Sequence, residues 1–149
     1  MYEPIRTKSV HSTVDGPNPD FPHRSREEEL DIQLAGHLAA LLAVTDELRA
    51  TQASADLDTA DLDTADLDTA AERLAEQVGR LRGGRTPVRA PMSGRREAGL
   101  AALHRRAHAL AGRALVVAAS RADTAAAILA AERMDAHTAA LGPRELASR

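Results

Sequence analysis

From Arg26 onward the apolar positions of this chain recur with a helical period. Leu30, Leu34, His37, Leu41, Val44 and Leu48 follow at steps of three and four, and Leu38 and Leu42 widen the stripe, as in a helix facing a bundle core. Just before the stripe, Ser25 and Glu28 are spaced so that each side chain can reach the other's backbone amide in a capping box. Glu27, Glu28 and Glu29 place negative charge where the helix dipole favours it. These signals predict a helix from Arg26 to about Gln52. A heptad follows in Leu67, Ala71, Leu74, Val78 and Leu81, and Gly83-Gly84 stops it. Between the two patterns the sequence leaves a turn near Ser54 open. No Gly or Pro stands there, although Ser54 or Asp56 has the side chain to cap a new helix.

Residues 83–94, GGRTPVRAPMSG, read as a loop, with Ser93 placed to cap what comes next. A third pattern then runs through Leu100, Leu103, Ala107, Leu110, Ala114 and Val117 to Arg121, Thr124, Ile128 and Ala131. No Pro occurs before Pro143, which Gly142 precedes. Taken as unbroken, this helix spans Arg96 to Leu141, roughly 68 Å against roughly 40 Å for each of the others. Its overhang exposes Ile128, Leu129, Met134 and Leu141 and points to a two-fold homodimer. A turn near Ser120 instead folds the last segment back into a compact four-helix bundle.

The run ADLDTADLDTADLDTA at residues 55–70 is one pentapeptide written three times, with Asp56, Asp58, Asp61, Asp63, Asp66 and Asp68 in one window. A five-residue period advances each leucine by about 140° around a helix, so Leu57, Leu62 and Leu67 share no face. In a strand an odd period sends them to alternate faces. The pattern A-D-L-x-x resembles the pentapeptide-repeat family, whose leucines point into a square β-solenoid. The resemblance covers residues 55–69, and a solenoid needs several stacked coils before it buries a core. A calcium loop needs a Gly at its sharp turn, and none lies between Gly36 and Gly79. The repeat therefore reads as a solvated acidic face.

Composition narrows the class further. At 149 residues there is chain for one domain. Aromatic residues make up 1%, Tyr2 and Phe21, too few for ordinary β-sandwich or barrel strands. There is no Cys, which removes disulfides, thiolate metal sites and a cysteine nucleophile. The net charge of −3 demands no polyanionic partner. One Lys against many Arg points to a GC-rich bacterial genome. Residues 1–24 carry Pro4, Pro17, Pro19 and Pro22 and no apolar signal-peptide run, so they read as a disordered tail of a cytoplasmic protein. Arg121 and Asp123 interrupt the apolar-rich segment 114–131, and no membrane span is expected.

Candidate chemistry is sparse. His104 and His108 lie one helical turn apart, as two metal ligands would, but Arg105 and Arg106 stand between them and no carboxylate lies within a turn. His37 reads as a hydrogen-bonded core histidine, and His137 as a cation near a helix end. Nucleophile elbows, phosphate loops and dinucleotide fingerprints are missing. Between residues 80 and 106, Arg80, Arg82, Arg85, Arg89, Arg95, Arg96, Arg105 and Arg106 face only Glu97. Such a cluster suits phosphate, though no aromatic stands among them to stack on bases.

The sequence thus predicts an all-α fold: an antiparallel helical bundle of three long helices, or four if the third breaks near Ser120. Residues 25–142 form the bundle, and residues 143–149 form a C-terminal tail. The expected function is a non-catalytic interaction or scaffold module, self-associating or binding a protein partner, with no cofactor, no metal and no membrane. The contact candidates are Arg82, Arg85, Arg89, Arg95, Arg96, Ile128, Leu129, Met134 and Leu141. A small nucleic-acid-associated regulator that uses the Arg-rich segment 80–106 is the alternative.

Overall fold

The computed structural model describes residues 24–54, 61–89 and 99–147, and within them the side chains of 24–53, 64–89 and 99–142. Four helices account for most of these: α1 (Arg26–Ser54), α2 (Asp61–Leu81), α3 (Leu100–Arg121) and α4 (Thr124–Ala147). No strand occurs among the described residues. The N-terminal tail, the first repeat unit, Arg95 and Arg96 lie outside them.

The local signals at the start of α1 and the end of α2 act as expected, whereas α3 starts at Leu100, after Gly99 and with no side-chain cap, and not at Arg96 behind Ser93. The Ser25 amide donates to Glu28 Oε1 at 3.0 Å and the Glu28 amide to Ser25 Oγ at 3.1 Å, so the capping box closes. At the end of α2, Gly83 takes a positive φ of 75° and the Gly84 amide donates to the Gly79 carbonyl, the arrangement of a Schellman stop. Gly142, at φ 80°, kinks α4 where the Gly-Pro pair was expected to end it.

The third pattern is two helices. It breaks at Ala122–Asp123, two residues past Ser120, so the 68 Å helix and its overhang do not exist. The break is built without Gly or Pro. The Asp123 amide donates to the Ala118 carbonyl and the Ala122 amide to the Ala119 carbonyl, a second Schellman motif with Ala122 in the left-handed region at φ 59°. Asp123 then caps α4, its Oδ1 accepting from the Ala126 amide at 3.2 Å. A left-handed alanine costs about 1–2 kcal/mol, part of which glycine returns as unfolded-chain entropy. Ala122→Gly is therefore expected to stabilise the protein by about 0.5–1 kcal/mol and raise Tm by about 2–5 °C, read by thermal circular dichroism.

Ion pairs give the helix directions. Arg49 of α1 meets Asp68 near the start of α2, and Arg121 at the end of α3 meets Asp31 near the start of α1. Arg73 and Arg80 of α2 meet Glu132 of α4 and Asp123 before it. The packing runs in a ring, α2–α1–α3–α4, with the α2–α4 side the most open and every neighbouring pair antiparallel. Since α2 and α3 stand on a diagonal and point the same way, the end of α2 and the start of α3 lie at opposite ends of the bundle. After the turn at 82–84, residues 85–89 reach about 17 Å at full extension, enough with the arginine side chain to bring Arg89 back to Asp46 on α1.

Among the described residues the core holds no Phe, Tyr or Trp. Leu34, Leu38, Leu41, Leu48, Leu74 and Leu103 are sealed from solvent, and Ala107, Ala111, Ala114 and Ala118 line the inner face of α3. Small residues there let α3 lie close to α1 and α4. None of the described helices is long and apolar enough to cross a membrane.

Candidate functional site

The expected acidic face is partly a structural device. In the third repeat unit Leu67 is buried in the core, and the aspartates on either side reach different helices. Asp66 accepts from Arg133 of α4 at 3.1 Å, and Asp68 accepts from Arg49 of α1 at 2.7 Å. Neighbours on a helix diverge by about 100°, so an Asp-Leu-Asp triplet aims its leucine inward and its carboxylates at the two flanking helices.

Asp46 anchors a cluster at the same end of the bundle. Its carboxylate takes two bonds from Arg89, both 2.8 Å, and one from Arg49 at 3.0 Å. Burial alone pushes this carboxyl up, but Arg89 and Arg49 outweigh it and hold it below the usual carboxylate range. Arg89 is thus a clamp on the crossover segment. Arg80 is likewise engaged, by Gln77 and Asp123, while Arg82 and Arg85 are exposed beyond the end of α2.

The histidines do not pair as their spacing suggested. His104 turns to His137, not to His108, and their Nδ1 atoms are 2.9 Å apart. The ring centroids are 5.1 Å apart. A ring centre lies about 1.1 Å behind its nitrogen, so this is close to the longest separation the contact allows and the rings meet nearly head-on, as a linear N–H···N bond requires. Ligands of one metal must instead converge on a point off that line. Among the described residues no group of three or more His, Asp or Glu is arranged to hold a metal.

His137 is not the helix-end cation expected. It is 1% exposed, and its pKa is pushed down to about 3 by burial first, then by Arg133, His104 and His108. Its Nε2 is buried without a hydrogen-bond partner among the described residues, as is Nε of Arg133, one turn away. His37 is half-buried on α1.

The remaining feature is the outer face of α3 and α4. A groove of about 290 Å³ runs between them beside the turn, lined by Ala119, Ala122, Ala127, Ile128 and Ala131 among others. Val116 and Ile128 are 66% and 55% exposed. Both stand about six residues from the turn, so the antiparallel hairpin puts them at one level. Of the other contact candidates on α4, Leu129 belongs to the core, Met134 packs against it, and Leu141 is half-buried. Of the four, Ile128 alone presents an outward apolar side chain. Val116 was missed because its neighbour Val117 carries the heptad, and nothing local marks a residue one step off the core stripe as a partner of one across a turn. Comparisons with protein-family models, with curated proteins and with solved structures find no match to this chain.

Proposed function

We propose that this chain is a non-catalytic helical interaction module that pairs with a second copy of itself through the outer face of α3 and α4. The observation that carries the reading is the level pair of exposed side chains, Val116 and Ile128, beside a groove of small residues. An exposed apolar patch rimmed by charge is the usual mark of a contact surface.

Charge supports one arrangement over another. Away from the turn, the exposed charges of α3 include Arg106 and Arg113, and those of α4 are acidic, Asp135 and Glu132, the latter also meeting Arg73 of α2. A two-fold axis parallel to the helices sets α3 of one copy on α4 of the other. Positions equidistant from the turn then meet, which brings Val116 level with Ile128 and Arg113 level with Glu132. An axis across the helices sets α3 on α3 and presses the arginines against Val116. Complementary charge favours the first and penalises the second. The nucleic-acid reading is not advanced, since Arg80 and Arg89 are held by Asp123 and Asp46.

Sedimentation equilibrium tests the proposal. The expected species weighs about twice the 15.8 kDa chain. Ile128→Asp is expected to return it to monomer with little change in Tm, because the side chain is exposed. A monomer persisting at the highest soluble concentration would show the reading to be wrong.

A further inference from the structure

The α3–α4 hairpin is joined covalently at the Ala122–Asp123 turn, so its helices can part only at the other end. That end is where His104 and His137 meet. Two nitrogens aimed along one line share one proton. The tautomers follow from what is left over. An unpaired buried lone pair costs less than an unpaired N–H. His137, whose Nε2 is buried and unpartnered, is therefore the donor from Nδ1, and His104 the acceptor.

A second proton has no good place in the closed hairpin. On His104 Nδ1 it points at the proton already there. On His137 Nε2 it makes a buried N–H with no acceptor among the described residues, whether the charge stays on His137 or passes to His104 along the shared bond. The groups around His137 make this worse. Arg133 on its own helix is 4% exposed and positive, and His104 and His108 face it from α3. From α2 comes Asp66, whose carboxylate is already taken by Arg133. At this end α1 brings Asp46 and Arg49, which are tied to Arg89 and to Asp68.

We propose that the His104–His137 pair is an acid-operated latch between α3 and α4. The singly shared proton holds the free ends of the hairpin together, and uptake of a second proton swings them apart about the turn. Nothing in this depends on self-association through the outer face.

Hydrogen exchange of the full chain, followed by mass spectrometry at pH 7.5 and pH 5.0 and corrected for the intrinsic rate, reads the latch directly. An ordinary histidine in the open state takes up its proton below about pH 6.5, and opening then grows tenfold per pH unit. Protection of amides in 103–108 and 133–141 is therefore expected to fall about thirtyfold and to lie below that of the core amides of α1 and α2, whose protection follows the global stability and falls with it. In His137→Leu the loss is expected to vanish. Imidazole nitrogen NMR of the unmodified chain gives a second measurement that needs no variant. It should show His137 neutral at pH 5.5 with its proton on Nδ1. Unchanged protection in these two segments, exchange there no faster than in the core of α1 and α2 at pH 5.0, or two rings that titrate independently near pH 6.5 would each overturn the proposal.

Discussion

Leu38→Ala is expected to remove about 3–4 kcal/mol of folding free energy, a large share of the 5–15 kcal/mol typical of a domain. Leu38 is 0% exposed and lies on α1, the helix that packs against both α2 and α3. Two terms add in such a truncation: the lost burial of the removed atoms and the cavity they leave. The second should be near its maximum here. Many of the neighbouring core positions are alanines, which have no side-chain torsion with which to fill a void. Urea unfolding followed by circular dichroism measures the loss, which at a slope of about 1–2 kcal/mol/M moves the midpoint by about 2 M. Val116→Ala, at a 66% exposed position, is the control and should cost almost nothing in the monomer. A loss below about 1 kcal/mol for Leu38→Ala would mean that this core collapses around voids.

Acid is expected to weaken the bundle well before its carboxylates protonate. The folded pKa of His137 is near 3 and its ordinary value is 6.5, so between them the unfolded chain binds the extra proton. The stability tied to a neutral His137 is thus complete above pH 6.5 and is lost as pH falls toward 3. The slope is at most about 1.4 kcal/mol per pH unit, or about 2.7 kcal/mol from pH 6.5 to 4.5. Asp46 acts in a lower window. Its folded pKa is depressed, so its contribution is complete above the unfolded value of 3.8 and is lost as pH drops through the folded one. Urea unfolding at half-unit steps from pH 7.5 to 4.0 separates the two. His137→Leu should flatten the curve above pH 4.5 and leave the steeper fall below it. If the unmodified protein keeps a flat profile down to pH 4.5, His137 is not held neutral in the fold.

What could be read from the chain, and what could not, divides by range. The start of α1, the stop of α2 and the inward faces of α1, α2 and α3 depend on residues at most five apart. Ser25 with Glu28, Gly83-Gly84, and the leucine steps from Leu30 to Leu48 were legible for that reason. The break at Ala122–Asp123 was ambiguous because the local code there is neutral. Alanine prefers helix, and only the burial of Ala126, Leu129 and Ala130 against α3 and its neighbours offsets a left-handed alanine. The third repeat unit was half legible from composition. Its aspartates Asp66 and Asp68 are exposed, as a solvated face requires, but only the packing brings Arg133 and Arg49 to them from α4 and α1. His104 and His137 are 33 residues apart and meet only because a turn of fixed length sets the register of α3 against α4. By itself the sequence determined most of the helices, the cap of α1, the stop of α2 and most of the buried faces, since a helix is fixed by bonds within one turn. Only the tertiary structure decided where the long pattern folds back, which charges are consumed internally, and which histidines share a proton, because those depend on the register between helices that no single helix encodes.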